Sequence, residues 1–331
     1  MRGFAIMCVI VNHAIIKTDP MNFYNSMFYK VNWSFHMPIF FIVSGYFIYM
    51  STKDKGSIKW LRDKARRFLI PHFSYNIGIF FWSVTGLAFY DGVTQQGFGK
   101  WMLDTSVFDG GEWFLWTLFG TYALMMLILH IDKRNKDFLF YAFALVIVVV
   151  CIPINHGGFL RLAYIQYFFP YVLCGYLIAK YRNEIQEKIL NKITKKHVIV
   201  IFSVLLTLYV LLRTNFDGAW TTRPYLDMFY SGGLHSVYYT LALLSIPLVY
   251  LTIKGISKIS QRFNYVLSWV GRHSLVIYIS SLFFPGLYFG VGHMAVITSA
   301  LFSFLMALVI SFIVDNRKRI FNYVRCRLVI G

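Results

Sequence analysis

Acidic residues are scarce in this chain. It has 14 Asp and Glu against 32 Lys and Arg, and charged residues fill only 14% of 331 positions. A soluble globular domain is about a quarter charged, so that class is excluded. Cysteine is scarce as well: Cys8, Cys151, Cys174 and Cys326 lie in or beside separate apolar runs. They lack the paired spacing of a disulfide framework or a zinc site and read as small packing residues, so no metal is expected. Also absent are a phosphate-binding glycine loop, a His-Glu-x-x-His pair and a nucleophile elbow. Nucleotide, zinc-dependent and serine hydrolysis are left without machinery.

What is abundant is apolar: hydrophobic residues make up 58% and the mean hydropathy is +0.58. Runs able to cross a ~30 Å hydrocarbon core recur along the chain. They predict spans over 2–17, 34–50, 69–89, 112–130, 138–154, 163–180, 198–213, 233–253, 267–285 and 294–314. The expected fold is an all-α polytopic integral membrane protein of about ten transmembrane helices, packed as one domain over 1–331. The first run, roughly fifteen residues, falls short of the ~20 a span needs, and no cleavage site follows it. A natural start upstream of Met1 is therefore expected.

The net charge of +18 does not point to nucleic acid, because the bases are sorted by loop. Segments 51–68, 131–137, 180–197, 254–272 and the tail from 315 hold 25 Lys and Arg, and Arg2 makes 26. Only Lys17, Lys30, Lys100, Arg161, Arg213 and Arg223 fall in the other set. The positive-inside rule then puts both termini in the cytoplasm.

Two basic segments are more than connectors. In 58–71, Ile58, Leu61, Ala65, Phe68 and Leu69 recur at helical spacing, with Arg62 and Arg66 opposite. This is an interfacial amphipathic helix that Pro71 should turn into the third span. Its bases serve either anionic lipid and topology or, through guanidinium forks, a phosphate-bearing ligand. Segment 180–197 mixes Glu184 and Glu187 with its bases and reads as a solvated helix. On the other side, 90–111 and 214–233 combine Asp91, Asp104, Asp109, Asp217 and Asp227 with glycines and Trp220. Sugars bind such surfaces, and ordinary loops share the composition.

Most of the nine histidines sit near span ends, where histidine is unremarkable. His13 differs, since it lies deep in the first run. It lies eleven positions after Arg2, about three turns and roughly 16 Å, so both lie on about one face. Such groups inside a membrane are costly and usually point into the bundle. Either His13 is a hydrogen-bonded structural residue, or its near-neutral pKa lets it carry a proton. Three further stretches stand out: Ser34 to Tyr46 with His36, Pro38 and the small pair Ser44-Gly45; Glu112-Trp113; and Trp269 to Tyr278.

These motifs resemble those of the membrane acyltransferase family 3, whose members O-acylate sugars and glycans. Arg2-Gly3 with His13 matches its arginine, ten residues, histidine signature. His36-Met-Pro-Ile-Phe-Phe-Ile-Val-Ser-Gly45 resembles the second-helix motif of the branch similar to fucose 4-O-acetylases. Lys64-Ala-Arg-Arg67, Trp113-Phe-Leu115 and Gly271-Arg-His-Ser-Leu-Val-Ile-Tyr278 are similar to later motifs. Two departures stand out: no acidic residue precedes Arg2, and Ser281 stands where many members carry histidine. The resemblance implies a multi-pass protein of the bacterial cytoplasmic (inner) membrane that uses acyl-CoA, usually acetyl-CoA, as donor substrate. No tightly bound cofactor is implied, and the acceptor is a sugar or lipid-linked glycan. It implies His13 as general base with Arg2, donor binding by Arg66, Arg67 and Lys64, and an acceptor side with His36, Glu112 and Trp113. A transporter or flippase built on the Arg2/His13 face is the alternative, although no inverted repeat is visible. A glycan polymerase or assembly partner is a third.

Overall fold

The structure, a computed structural model, describes residues 1–18, 26–51, 57–84, 97–107, 113–135, 162–188, 190–215, 234–283 and 293–330. Its helices are α1 Arg2–Thr18, α2 Met27–Trp33, α3 His36–Met50, α4 Ile58–Val84, α5 Phe98–Val107, α6 Phe114–Asn135 and α7 Leu162–Lys180. They continue with α8 Arg182–Lys188, α9 Lys195–Asn215, α10 Leu234–Ile259, α11 Gln261–Arg272, α12 Ser274–Phe283 and α13 His293–Ile330. No strand occurs among the described residues. Met27–Met50, Lys195–Thr214, Thr240–Ile259 and Met294–Ile313 are long and apolar enough to cross a bilayer, while Arg2–Ile16 and Phe114–His130 are apolar but shorter. The expected span 138–154 lies outside the described residues.

Two compact units divide the chain, one of residues 1–36 and 255–331, the other of residues 37–254. In the first, α1 packs on α2, α11, α12 and α13. Small residues make this possible. A Cβ on Gly3 would collide with the Leu267 carbonyl of α11, so the two backbones touch there. Along α13, Ala295, Ser299, Ser303, Ala307 and Ser311 recur every fourth residue, and all are buried. Such stripes let helices approach closely in lipid, where packing rather than water drives association.

The expected span 267–285 is divided in two. His273, at φ −93° and ψ 9°, leaves the helical basin between α11 and α12. Its ring stacks on Trp269 at 4.2 Å, and its Nδ1 donates to the Trp269 carbonyl at 2.9 Å. A histidine bonding a last-turn carbonyl is a cap, and apolar periodicity alone did not reveal it.

In the second unit α4 packs on α5 and α6, and α6 on α7. Aromatic rings form the core: Phe41 stacks on Phe168 at 4.2 Å and meets Phe114 edge-on at 5.6 Å. The helices α3 and α7 touch backbone to backbone, because a Cβ on Gly45 would strike the Val172 carbonyl and one on Gly175 the Ile42 carbonyl. The close approach expected at Ser44-Gly45 is thus present. By contrast α4 departs from expectation, running unbroken through Pro71. Proline removes one N–H bond from the ladder, a loss that intact helix on both sides tolerates. Its inward face is also different. Trp60, Phe68, His72 and Asn76 are buried at multiples of four residues, whereas Ile58 is 80% exposed.

Outer faces are apolar. On α9, Ile199 is 66% and Val200 60% exposed, and on α13 Phe312 is 65% exposed. Apolar patches of this extent need a nonaqueous surround. Between α8's Glu184 and Lys188 an exposed ion pair at 3.5 Å matches the expected solvated helix.

Candidate active site

In the first unit the ring of His13 is held by α12. His13 Nδ1 lies 3.2 Å from Ser281 Oγ, and the Ser281 hydroxyl donates to the Tyr278 carbonyl at 2.7 Å. The Tyr278 ring lies 6.3 Å from the imidazole and tilts 53° to it. Arg2 stands at the other end of α1, beside Gly271 of α11. The two residues of the signature therefore meet different helices of one bundle.

Beside His13 a second polar arrangement ties α1 to α2. Asn32 Nδ2 donates to the Cys8 carbonyl and to Asn12 Oδ1, both at 2.8 Å. A carbonyl only accepts, so the bond to Cys8 fixes which way the Asn32 amide faces. His36 Nδ1 in turn donates to the Asn32 carbonyl at 2.7 Å. His36 itself is only 2% exposed. Neither asparagine was singled out from sequence. Each is a buried amide in an apolar run, the one signal that could have flagged it.

In the second unit the expected donor residues separate. Arg66 and Arg67 are exposed on α4. Lys64 lies on the packed face, its Nζ 5.7 Å from the Trp60 ring and 5.5 Å from the Tyr122 ring. Two aromatic faces thus hold its ammonium. Trp113, just before α6, stacks on Tyr164 at 4.8 Å and Phe168 at 5.5 Å. Glu112 lies outside the described residues. His72, passed over as interfacial, is fully buried, and Asn76 Nδ2 donates to its Nε2 at 3.1 Å. No cluster of His, Cys, Asp or Glu that could hold a metal occurs among the described residues.

An acyltransferase family 3 model, described as "Acyltransferase domain", matches residues 1–315. The chain belongs to that family. The signature residues Arg2 and His13 fall inside the match. The chain is also similar to two proteins called nodulation protein NolL. One, from Sinorhizobium fredii (strain NBRC 101917 / NGR234), is 27% identical over 54% of this chain and 47% of its own length. The other, from Mesorhizobium japonicum (strain LMG 29417 / CECT 9101 / MAFF 303099), is 24% identical over 54% of this chain and 46% of its own. The matches thus cover about half the length of these curated relatives. No solved structure matches the chain.

Proposed function

We propose that this acyltransferase is an O-acetyltransferase of the bacterial cytoplasmic membrane. It moves an acyl group from cytosolic acyl-CoA to a hydroxyl of a cell-surface or lipid-linked glycan. The observation that supports this most is His13, partly buried in an apolar helix and held by a polar contact to Ser281, within the family match. In this reading the whole chain is one acyltransferase domain of about ten spans. The first helix brings the reacting imidazole into the bundle.

The chemistry needs a base, an anion grip and an acceptor seat. His13 takes the proton of the acceptor hydroxyl as its oxygen attacks the thioester carbonyl carbon. The carbon–sulfur bond breaks, and the imidazolium returns the proton to the leaving CoA thiolate. Arg2 stabilises negative charge on the donor or the developing oxyanion. Arg66 and Arg67, exposed on α4, grip donor phosphates through their planar forks, and Lys64 adds its charge from the packed face. His36, Glu112 and Trp113 serve the acceptor side.

Changing Arg66 and Arg67 together to Gln should weaken acyl-CoA binding by about tenfold or more while folded protein remains in the membrane, as loss of charge-assisted bonds requires. A Lys pair should rescue only in part, because ammonium lacks the bidentate fork. Calorimetry on purified protein measures both. Unchanged affinity in the Gln pair would make this face a lipid or topology device instead.

Orientation is tested separately. Cysteines placed in 90–111 and 214–228 should react with an impermeant maleimide on intact cells, and those in 51–68 and 180–197 should not. The reverse pattern would put the donor residues on the wrong side.

A further inference from the structure

We infer that Ser281 is a positioning residue that sets the tautomer and aim of the His13 ring. This rests on His13 acting as the general base. Ser281 is fully buried on α12, and a serine hydroxyl has one proton to give. That proton goes to the Tyr278 carbonyl at 2.7 Å, a group that can only accept. What Ser281 presents to His13 Nδ1 at 3.2 Å is therefore a lone pair. Nδ1 must carry the hydrogen and donate it, which puts the ring's lone pair on Nε2. Nε2 is then the atom that takes the acceptor's proton.

Geometry also favours a contribution that grows during the reaction. When Nε2 gains a proton the ring becomes cationic, and the Nδ1–H to Oγ bond becomes charge-assisted. Ser281 thus stabilises the imidazolium more than the resting ring, which places its effect in kcat rather than in donor binding. The anchor is rigid. Tyr278 and Ser281 sit one turn apart on α12, and Tyr278 presents its carbonyl to the serine and its ring toward the imidazole. Ser281 touches no reacting atom, so it acts only through His13.

The test uses full-length protein in lipid bilayers, as wild type, Ser281→Ala, Ser281→Thr and His13→Ala. With [15N]histidine labelling and the His13→Ala spectrum as the difference reference, the neutral wild-type ring should carry its hydrogen on Nδ1. Ser281→Ala should lose that preference. Its kcat should fall about 3–10-fold, the size of one ordinary hydrogen bond, with KM for acyl-CoA unchanged. Ser281→Thr keeps the hydroxyl and should recover most of both signals. A wild-type ring with its hydrogen on Nε2 overturns the inference even if Ser281→Ala fails to fold. So does a Ser281→Ala protein with wild-type tautomer and kcat. Retained transfer in His13→Ala removes the base assignment itself, and the catalytic use of Ser281 with it; that result is distinct from both others.

Discussion

His13→Ala should lower acyl transfer by about 10²–10⁴-fold, the usual contribution of a positioned general base. The protein should still accumulate in the membrane and still bind acyl-CoA, because the ring is partly exposed and its contacts to Ser281 and Tyr278 on α12 are side-chain contacts within an otherwise apolar helix packing. His13→Gln separates chemistry from packing. Glutamine fills similar space and can bond Ser281, but it cannot shuttle a proton near neutral pH, so it should be as inactive as alanine. A histidine kept only to satisfy a buried hydrogen bond behaves differently. It tolerates Gln, while Ala reduces the amount of folded protein. Arg2→Lys should fall between wild type and Arg2→Ala, since it keeps charge and loses the planar fork. Initial rates on protein matched for folded amount decide among these.

The largest effect on stability is expected at the crossing of α3 and α7. Gly45→Ala and Gly175→Ala each drive a methyl group into a backbone carbonyl, at Val172 and Ile42 respectively. Backbone cannot rotate aside as a side chain can, so the helices must separate along their length. Overpacking of ordinary cores costs about 1–3 kcal/mol, and here the lost helix contact adds to it. Gly255→Ala is the matched control. It lies within α10 with nothing within 4 Å of its added Cβ, so alanine should be neutral or gain up to about 1 kcal/mol of helix propensity. Thermal midpoints of detergent-solubilised protein should fall for the first two variants and hold or rise for the third. Equal midpoints in all three would contradict the backbone contact.

Much of the architecture was legible because membrane helices advertise themselves by length and hydropathy. The ends of α1, α7 and α9 lie within three residues of the expected spans. What escaped was set by single residues acting across helices. The break at His273 depends on a ring that both stacks on Trp269 and bonds its carbonyl, which no periodicity encodes. The inward face of α4 follows Trp60 and Phe68 because Tyr122 of α6 packs against both rings. Local spacing had favoured Ile58 instead. At the site, Arg2 and His13 were visible as polar residues in an apolar run, where their cost marks them. Ser281 was not. Serine is unexceptional in a membrane helix, and its departure from the family's histidine gave no hint of the contact that α12 makes with α1. Asn12 and Asn32 likewise become a pair only when α2 folds back on α1.

Purified protein offered radiolabelled acetyl-CoA and a lipid-linked glycan tests the central claim most directly. Label should move from the thioester to a glycan hydroxyl in wild type, with one CoA thiol released per acyl group transferred, and should stay on CoA with His13→Ala. Movement of the glycan across a liposome membrane without any transfer of label would contradict it.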